Sequence, residues 1–189
     1  MIRKRKHEKL FKNKNFLELV YATLSAWGID RMDGKARLVS FEEFRKSIID
    51  NLEHLQNLCK YKLHKLKSGE LRQTKDRLGS LFENLKVMKT EARLVGVSKA
   101  LHHLLPDLVM PIDRKHTLKF FYGCTNYNKE KEKQIFLQIF DASHKICEKL
   151  NLNERDLNPK RDWDTSIPKL IDNAIIGFVA KENKRRKVK

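Results

Sequence analysis

Cysteine, proline and glycine are scarce in this 189-residue chain, and long apolar runs are missing. Its three cysteines, Cys59, Cys124 and Cys147, are odd in number and far apart, which excludes a disulfide framework and fits a reducing compartment. No C-x-x-C occurs, so a cysteine-rich zinc site is excluded too. Seven glycines and four prolines leave few turn signals, which argues against a many-stranded sandwich or barrel. No stretch reaches the roughly 18 apolar residues that span a bilayer, and the basic start lacks the apolar core of a secretory signal. An intracellular location, cytoplasmic or nucleoid-associated, with no membrane partner, is the expectation. Neither a G-x-S-x-G elbow nor a Ser-His-Asp order is present.

What the chain has in excess is positive charge: 41 Lys and Arg against 24 Asp and Glu, a net of +17. Residues 1–14 carry +6 and residues 181–189 (KENKRRKVK) carry +5, so the excess gathers in two short terminal stretches around a moderately basic body, 15–180. Such blocks repel themselves and are neutralised by a polyanion. Nucleic acid is the commonest one, because each phosphate contact releases condensed counterions. The plainer alternative is that the lysines serve solubility alone.

Apolar spacing is helical nearly throughout. Asn15 with Glu18 resembles a capping box ahead of Phe16, Leu19, Val20 and Leu24, and that helix is expected to stop at Trp27-Gly28. Residues 29–39 read as a loop turning at Asp33-Gly34. Ser40 with Glu43 opens a helix of about 20 residues through Phe44, Ile48, Leu52 and Leu55. Lys67-Ser68-Gly69 breaks the chain, and a helix over 70–89 follows with Leu81, Leu85 and Met88 in step. A turn at Gly96 leads into a helix through Leu101 and Leu105, cut by Pro106. Asp113 caps the next helix, which ends at Gly123. A long helix spans about Asn128 to Leu150, and a last one opens at Thr165 or Ser166 with Pro168 in its first turn. The fold class is all-α, a single compact domain of six to eight helices.

Few residues stand out for chemistry. Asp113 follows a proline-bounded loop and precedes Arg114-Lys115-His116; a carboxylate ringed by bases can accept a proton or stabilise a cation. As an N-cap it also has a sufficient structural role, worth about 1 kcal/mol. Gly96-Val97-Ser98-Lys99-Ala100 places a glycine turn at a helix start, where outward N–H groups and the Lys99 charge form a phosphate cradle. An ordinary helix–helix turn reads the same way. His102 and His103 point about 100° apart on a helix and do not form an i, i+4 metal pair, so no metal and no cofactor is expected. Among the aromatics near the basic run, Phe120 and Phe121 suit the core, and Tyr122 and Tyr127 suit base stacking. Trp27 and Trp163 are expected to pack at the core margin.

Taken together, Leu94–Ala100 and Met110-Pro111-Ile112-Asp113 resemble the core segment of the helix-hairpin-helix DNA glycosylases of the endonuclease III superfamily, over about 94–121. The resemblance implies that hairpin amides near Gly96, with Ser98, Lys99, Arg114, Lys115 and Tyr122, meet nucleic acid. In that family a hairpin lysine, where present, attacks the sugar C1′ of a flipped nucleotide while the aspartate assists; matching Gly96 and Ala100 puts Ser98 at the lysine position, so the catalytic candidates are Asp113 and the neighbouring Lys99. The expected function is nucleic-acid binding, DNA rather than RNA, with glycosylase- or lyase-like repair activity. The alternative is a non-enzymatic helical scaffold whose basic ends dock RNA or acidic partners.

Overall fold

The computed structural model describes residues 9–29, 37–158 and 160–187. It is all-α, as the periodicity predicts, with no strand among the described residues. The turn expected at Asp33-Gly34 lies outside them.

Helix α1 (Lys14–Leu24) is capped by Asn13, whose Oδ1 accepts from Phe16 N at 3.1 Å, two residues ahead of the expected Asn15 cap. Leu17, Val20 and Leu24 face inward. The helix does not stop at Trp27 but widens into a π-helical turn, Ser25–Ile29. The hydroxyls of Thr23 and Ser25 bond back to the carbonyls of Leu19 and Tyr21, a competition that loosens the regular ladder there. Helix α2 (Phe41–Asp50) opens with the predicted capping box, Ser40 N donating to Glu43 Oε2 at 3.0 Å. The expected 20-residue helix breaks at Asn51 into α2 and α3 (Leu52–Leu58). Asn51 is buried, and its Nδ2 donates to Ser47 O at 2.8 Å.

Helix α4 (Ser68–Asn84) ends short of the expected residue 89. The Arg93 guanidinium takes the carbonyls of Phe82, Glu83 and Leu85, at 2.8, 3.0 and 2.8 Å, and so closes the helix from outside. Residues 87–89 then run antiparallel to 37–39 in a short bridge, Val39 N to Val87 O at 3.0 Å and Lys89 N to Arg37 O at 2.8 Å. Helix α5 (Leu94–Leu104) follows, cut before Pro106 as predicted. The strip Leu108–Ile112 is buried throughout. Asp113 caps a π-helical turn, Arg114–Leu118, that leads into α6 (Lys119–Tyr122), and Gly123 ends it in the left-handed conformation (φ 71°). Asn128 caps the 3-10 turn Lys129–Lys131 before α7 (Glu132–Lys149). The last helix, α8 (Ile167–Lys187), starts behind Ser166 with Pro168 in its first turn.

Helix α1 packs on α2 and α5, α7 on α4 and α5, and α8 on the 114–118 turn and α6. Two features change the reading of the basic ends. Phe11, inside the 1–14 stretch, is fully buried in the core, and α8 runs past residue 180 to Lys187 without interruption. Residue 181 falls inside α8, whereas α1 begins at Lys14. No described helix is long and apolar enough to cross a membrane.

Candidate functional site

The expected turn at Gly96 is helix. Gly96 lies in the first turn of α5 and is buried, and a Cβ there would collide with Met88, 2.7 Å from its Cγ. The glycine serves this close approach of α5 to the 87–89 segment. An anion does meet the start of α5, but it belongs to the chain itself: Glu132, 4% exposed, accepts from Arg93 N at 2.8 Å through Oε2. Tyr127 sits against the same carboxylate, and burial together with Glu132 holds its phenol well above the ordinary pKa. Gly96 is thus the third residue of α5, and the helix start near it is occupied by a carboxylate of the chain itself. Ser98 is also fully buried; its Oγ donates to Val95 O at 3.0 Å and accepts from Ile112 N at 3.1 Å. It fastens the strip ending in Asp113 to α5.

One turn further on, charges of both signs lie within electrostatic reach of one another. Lys99 places its Nζ over the Trp27 ring, 4.7 Å from the centroid. Burial pulls the Lys99 ammonium below its ordinary pKa; Asp113 and Asp172 oppose that pull and Lys169 adds to it. Lys99 thus feels the other three charges, although it forms no ion pair with either carboxylate. Asp172 is buried on α8 and bonded to Lys169 Nζ at 2.6 Å. Burial raises its carboxyl pKa, against Lys169, while Asp113 raises it further and His116 lowers it. Asp113 binds both the backbone N of His116, at 2.9 Å, and its Nδ1, at 3.0 Å, through Oδ1. Its own N–H donates to Thr117 Oγ1 at 3.0 Å. Among the described residues Oδ2 carries no hydrogen bond.

His103 completes the rim. Its ring lies 4.9 Å from Trp27, and burial, with help from His102, Lys169 and Lys99, lowers its pKa to about 4. His102 is a packed histidine, with Nδ1 2.7 Å from Val109 O. Among the described residues no three His, Cys, Asp or Glu side chains gather as a metal site.

The remaining predicted residues are elsewhere. Arg114 is exposed but engaged, donating to Thr125 O and Asn126 Oδ1, both at 3.1 Å. Lys115 is exposed. Tyr122 donates to Gln138 Oε1 at 2.9 Å and lines a cavity of about 300 Å³ with Tyr127, Asn126 and Lys131, a wall that includes neither Lys99 nor Asp113. Lys99 thus feels the charge of Asp113 without forming an ion pair with it, and Tyr122 stands apart from both.

Sequence reasoning misses Asp172, Lys169 and the part played by Trp27. One signal was there: residues 171, 172, 175 and 179 form the buried stripe of α8, and a carboxylate on an apolar stripe needs a partner. No family model matches the chain, and no curated protein and no solved structure matches it.

Proposed function

We propose that the chain is a nucleic-acid-binding protein in which Lys99 and Asp113 act on the sugar of an abasic or damaged nucleotide, in the manner of a glycosylase or lyase. The observation that supports this reading is the half-buried Lys99, seated over the Trp27 ring and within electrostatic reach of Asp113. A half-buried lysine whose pKa is lowered has a larger share of neutral amine, the form that attacks a carbonyl carbon. At the open-chain C1′ aldehyde of an abasic site, the amine forms a C–N bond, the carbonyl oxygen leaves as water, and an iminium results. In this reading Asp113 holds the amine's proton during attack and stabilises the cation that follows. Trp27 offers an apolar wall against which an extruded base or sugar can lie. The net charge of +17 supplies the polyanion affinity.

Borohydride reduction of the full chain mixed with abasic DNA tests this directly. A covalent adduct is expected for the wild type, none for Lys99→Ala, and a reduced yield for Asp113→Asn. Affinity for the same DNA is expected to fall steeply with added salt in all three proteins. No adduct on abasic DNA and no base release on a panel of lesions overturns the enzymatic half. A salt-independent affinity overturns the nucleic-acid half as well, leaving the scaffold reading.

A further inference from the structure

The C-terminal half of α8 and the short helix α6 share a surface distinct from the Lys99 cluster. Phe178 is 55% exposed and Phe120 is 38% exposed, and their rings meet edge to face with centroids 5.5 Å apart. Phe121 backs Phe120 in the same manner at 5.0 Å and packs against the core. A hydrogen bond from Lys119 Nζ to Asn183 Oδ1, 2.6 Å, ties α6 to α8 beside the pair. Gly177, next to Phe178, has open space where a Cβ would stand. Lys181, Lys184 and Arg185 are exposed on the same stretch of helix. At 3.6 residues per turn, Phe178, Lys181 and Arg185 fall within about 60° of one another around α8. Arg185 is bonded to Glu182 at 3.1 Å, an exposed pair that a phosphate can displace at little cost.

Exposed rings in contact, held by a buffer of core packing and followed by cations along one side of a helix, match a ligand that is planar and apolar in one part and anionic in the next. We infer that this face binds single-stranded nucleic acid, with an unpaired base lying against Phe178 and Phe120 and the adjoining phosphates on Lys181 and Arg185. The inference rests on the nucleic-acid reading above and assigns it a strand type and a surface. Stacking on an aromatic ring tolerates every base, whereas a duplex keeps its base faces covered and presents only edges.

Fluorescence anisotropy with a labelled 12-nucleotide single strand and with a duplex of equal length tests the assignment on the full chain. Phe178→Ala is expected to weaken single-strand binding roughly ten-fold and duplex binding less than two-fold. The double change Lys181→Ala with Arg185→Ala is expected to flatten the salt slope by roughly 1.4 for the single strand. In the unaltered protein, a strand carrying 5-iodouracil should crosslink on irradiation to Phe178 or Phe120, located by mass spectrometry; this arm needs no variant to fold. Salt-dependent binding that Phe178→Ala leaves unchanged, with no crosslink at either ring, overturns this inference and spares the nucleic-acid reading. Equal losses on single strand and duplex overturn the strand preference. No binding of the unaltered protein to either form overturns both. A change in oligomeric state on Phe178→Ala, with oligonucleotide affinity intact, makes the face a self-association surface and overturns the inference.

Discussion

The first turn of α5 and the turn that follows it have opposite fates. Leu94, Gly96, Val97 and Ser98 are sealed, with Glu132 at the helix start and Met88 pressed on the glycine. Lys99 and His103, in the next turn, lie against Trp27, and Lys99 feels the carboxylates of Asp113 and Asp172. Both turns offer polar groups in sequence, but only one offers them to an outside ligand. The difference comes from partners that lie far along the chain. A helix start is an anion site only while no internal carboxylate has reached it, and here Glu132 reaches it from 39 residues away.

Changing the sealed turn should cost stability, and changing the open turn should cost chemistry. The largest stability effect is expected at Glu132→Ala, which leaves the Arg93 N–H without its acceptor in a half-buried site and removes the charge facing the helix start. A loss of about 2–3 kcal/mol in urea or thermal unfolding is expected, with Glu132→Gln recovering much of it because its amide oxygen still accepts. Unfolding unchanged by Glu132→Ala would mean that the carboxylate is incidental. Ser98→Ala comes next: the buried Ile112 N–H loses its acceptor, for about 1–2 kcal/mol. Because Ser98 also fastens the strip that carries Asp113, its loss should slow borohydride trapping more than it lowers DNA affinity. Equal trapping rates in the two proteins would separate Ser98 from the site.

The smallest effect concerns acid. His103 titrates near its ordinary value of 6.5 when unfolded and at about 4 when folded, so between those pH values the unfolded chain binds more protons. Its contribution is fully present above pH 6.5 and is lost as pH falls through that window. Discounted for partial exposure, the loss is about 1 kcal/mol. His102 and His64, also lowered by burial, act in the same direction, and Asp172, raised by burial, opposes them nearer its own range. The decisive quantity is therefore the difference between the wild type and His103→Phe in stability measured from pH 7 to pH 5. The variant should show the shallower decline, and parallel declines would place His103 in solvent.

The sequence makes the helices themselves legible, because apolar residues at three- and four-residue steps have one stable use. The local signals are legible too: the Ser40–Glu43 box, the Asp113 cap, the left-handed Gly123 and the Pro168 helix start all depend on residues within four positions. The Asn51 break shows where that reach ends, since Ser47 donates its hydroxyl proton to Phe44 O while its Oγ accepts from Lys86 N, 39 residues on. Lys99 and Asp113 could be singled out as charged residues in an unusual texture. The place of Lys99 over Trp27 and its electrostatic link to Asp172 could not, because they follow from packing rather than from any one segment. Phe120 and Phe178 escape the same way: each suits a core by type, and only the finished surface shows that both rings stay outside.

Phe11 bears on how the basic N-terminal stretch can be studied at all. A benzyl group at 0% exposure is a keystone among cations, so cutting the chain at residue 14 would hollow the interior along with removing charge. Any loss of nucleic-acid affinity after such a cut would confound two causes. Replacing the neighbouring lysines and arginines one by one with glutamine, and leaving the ring in its socket, keeps electrostatics and architecture separable.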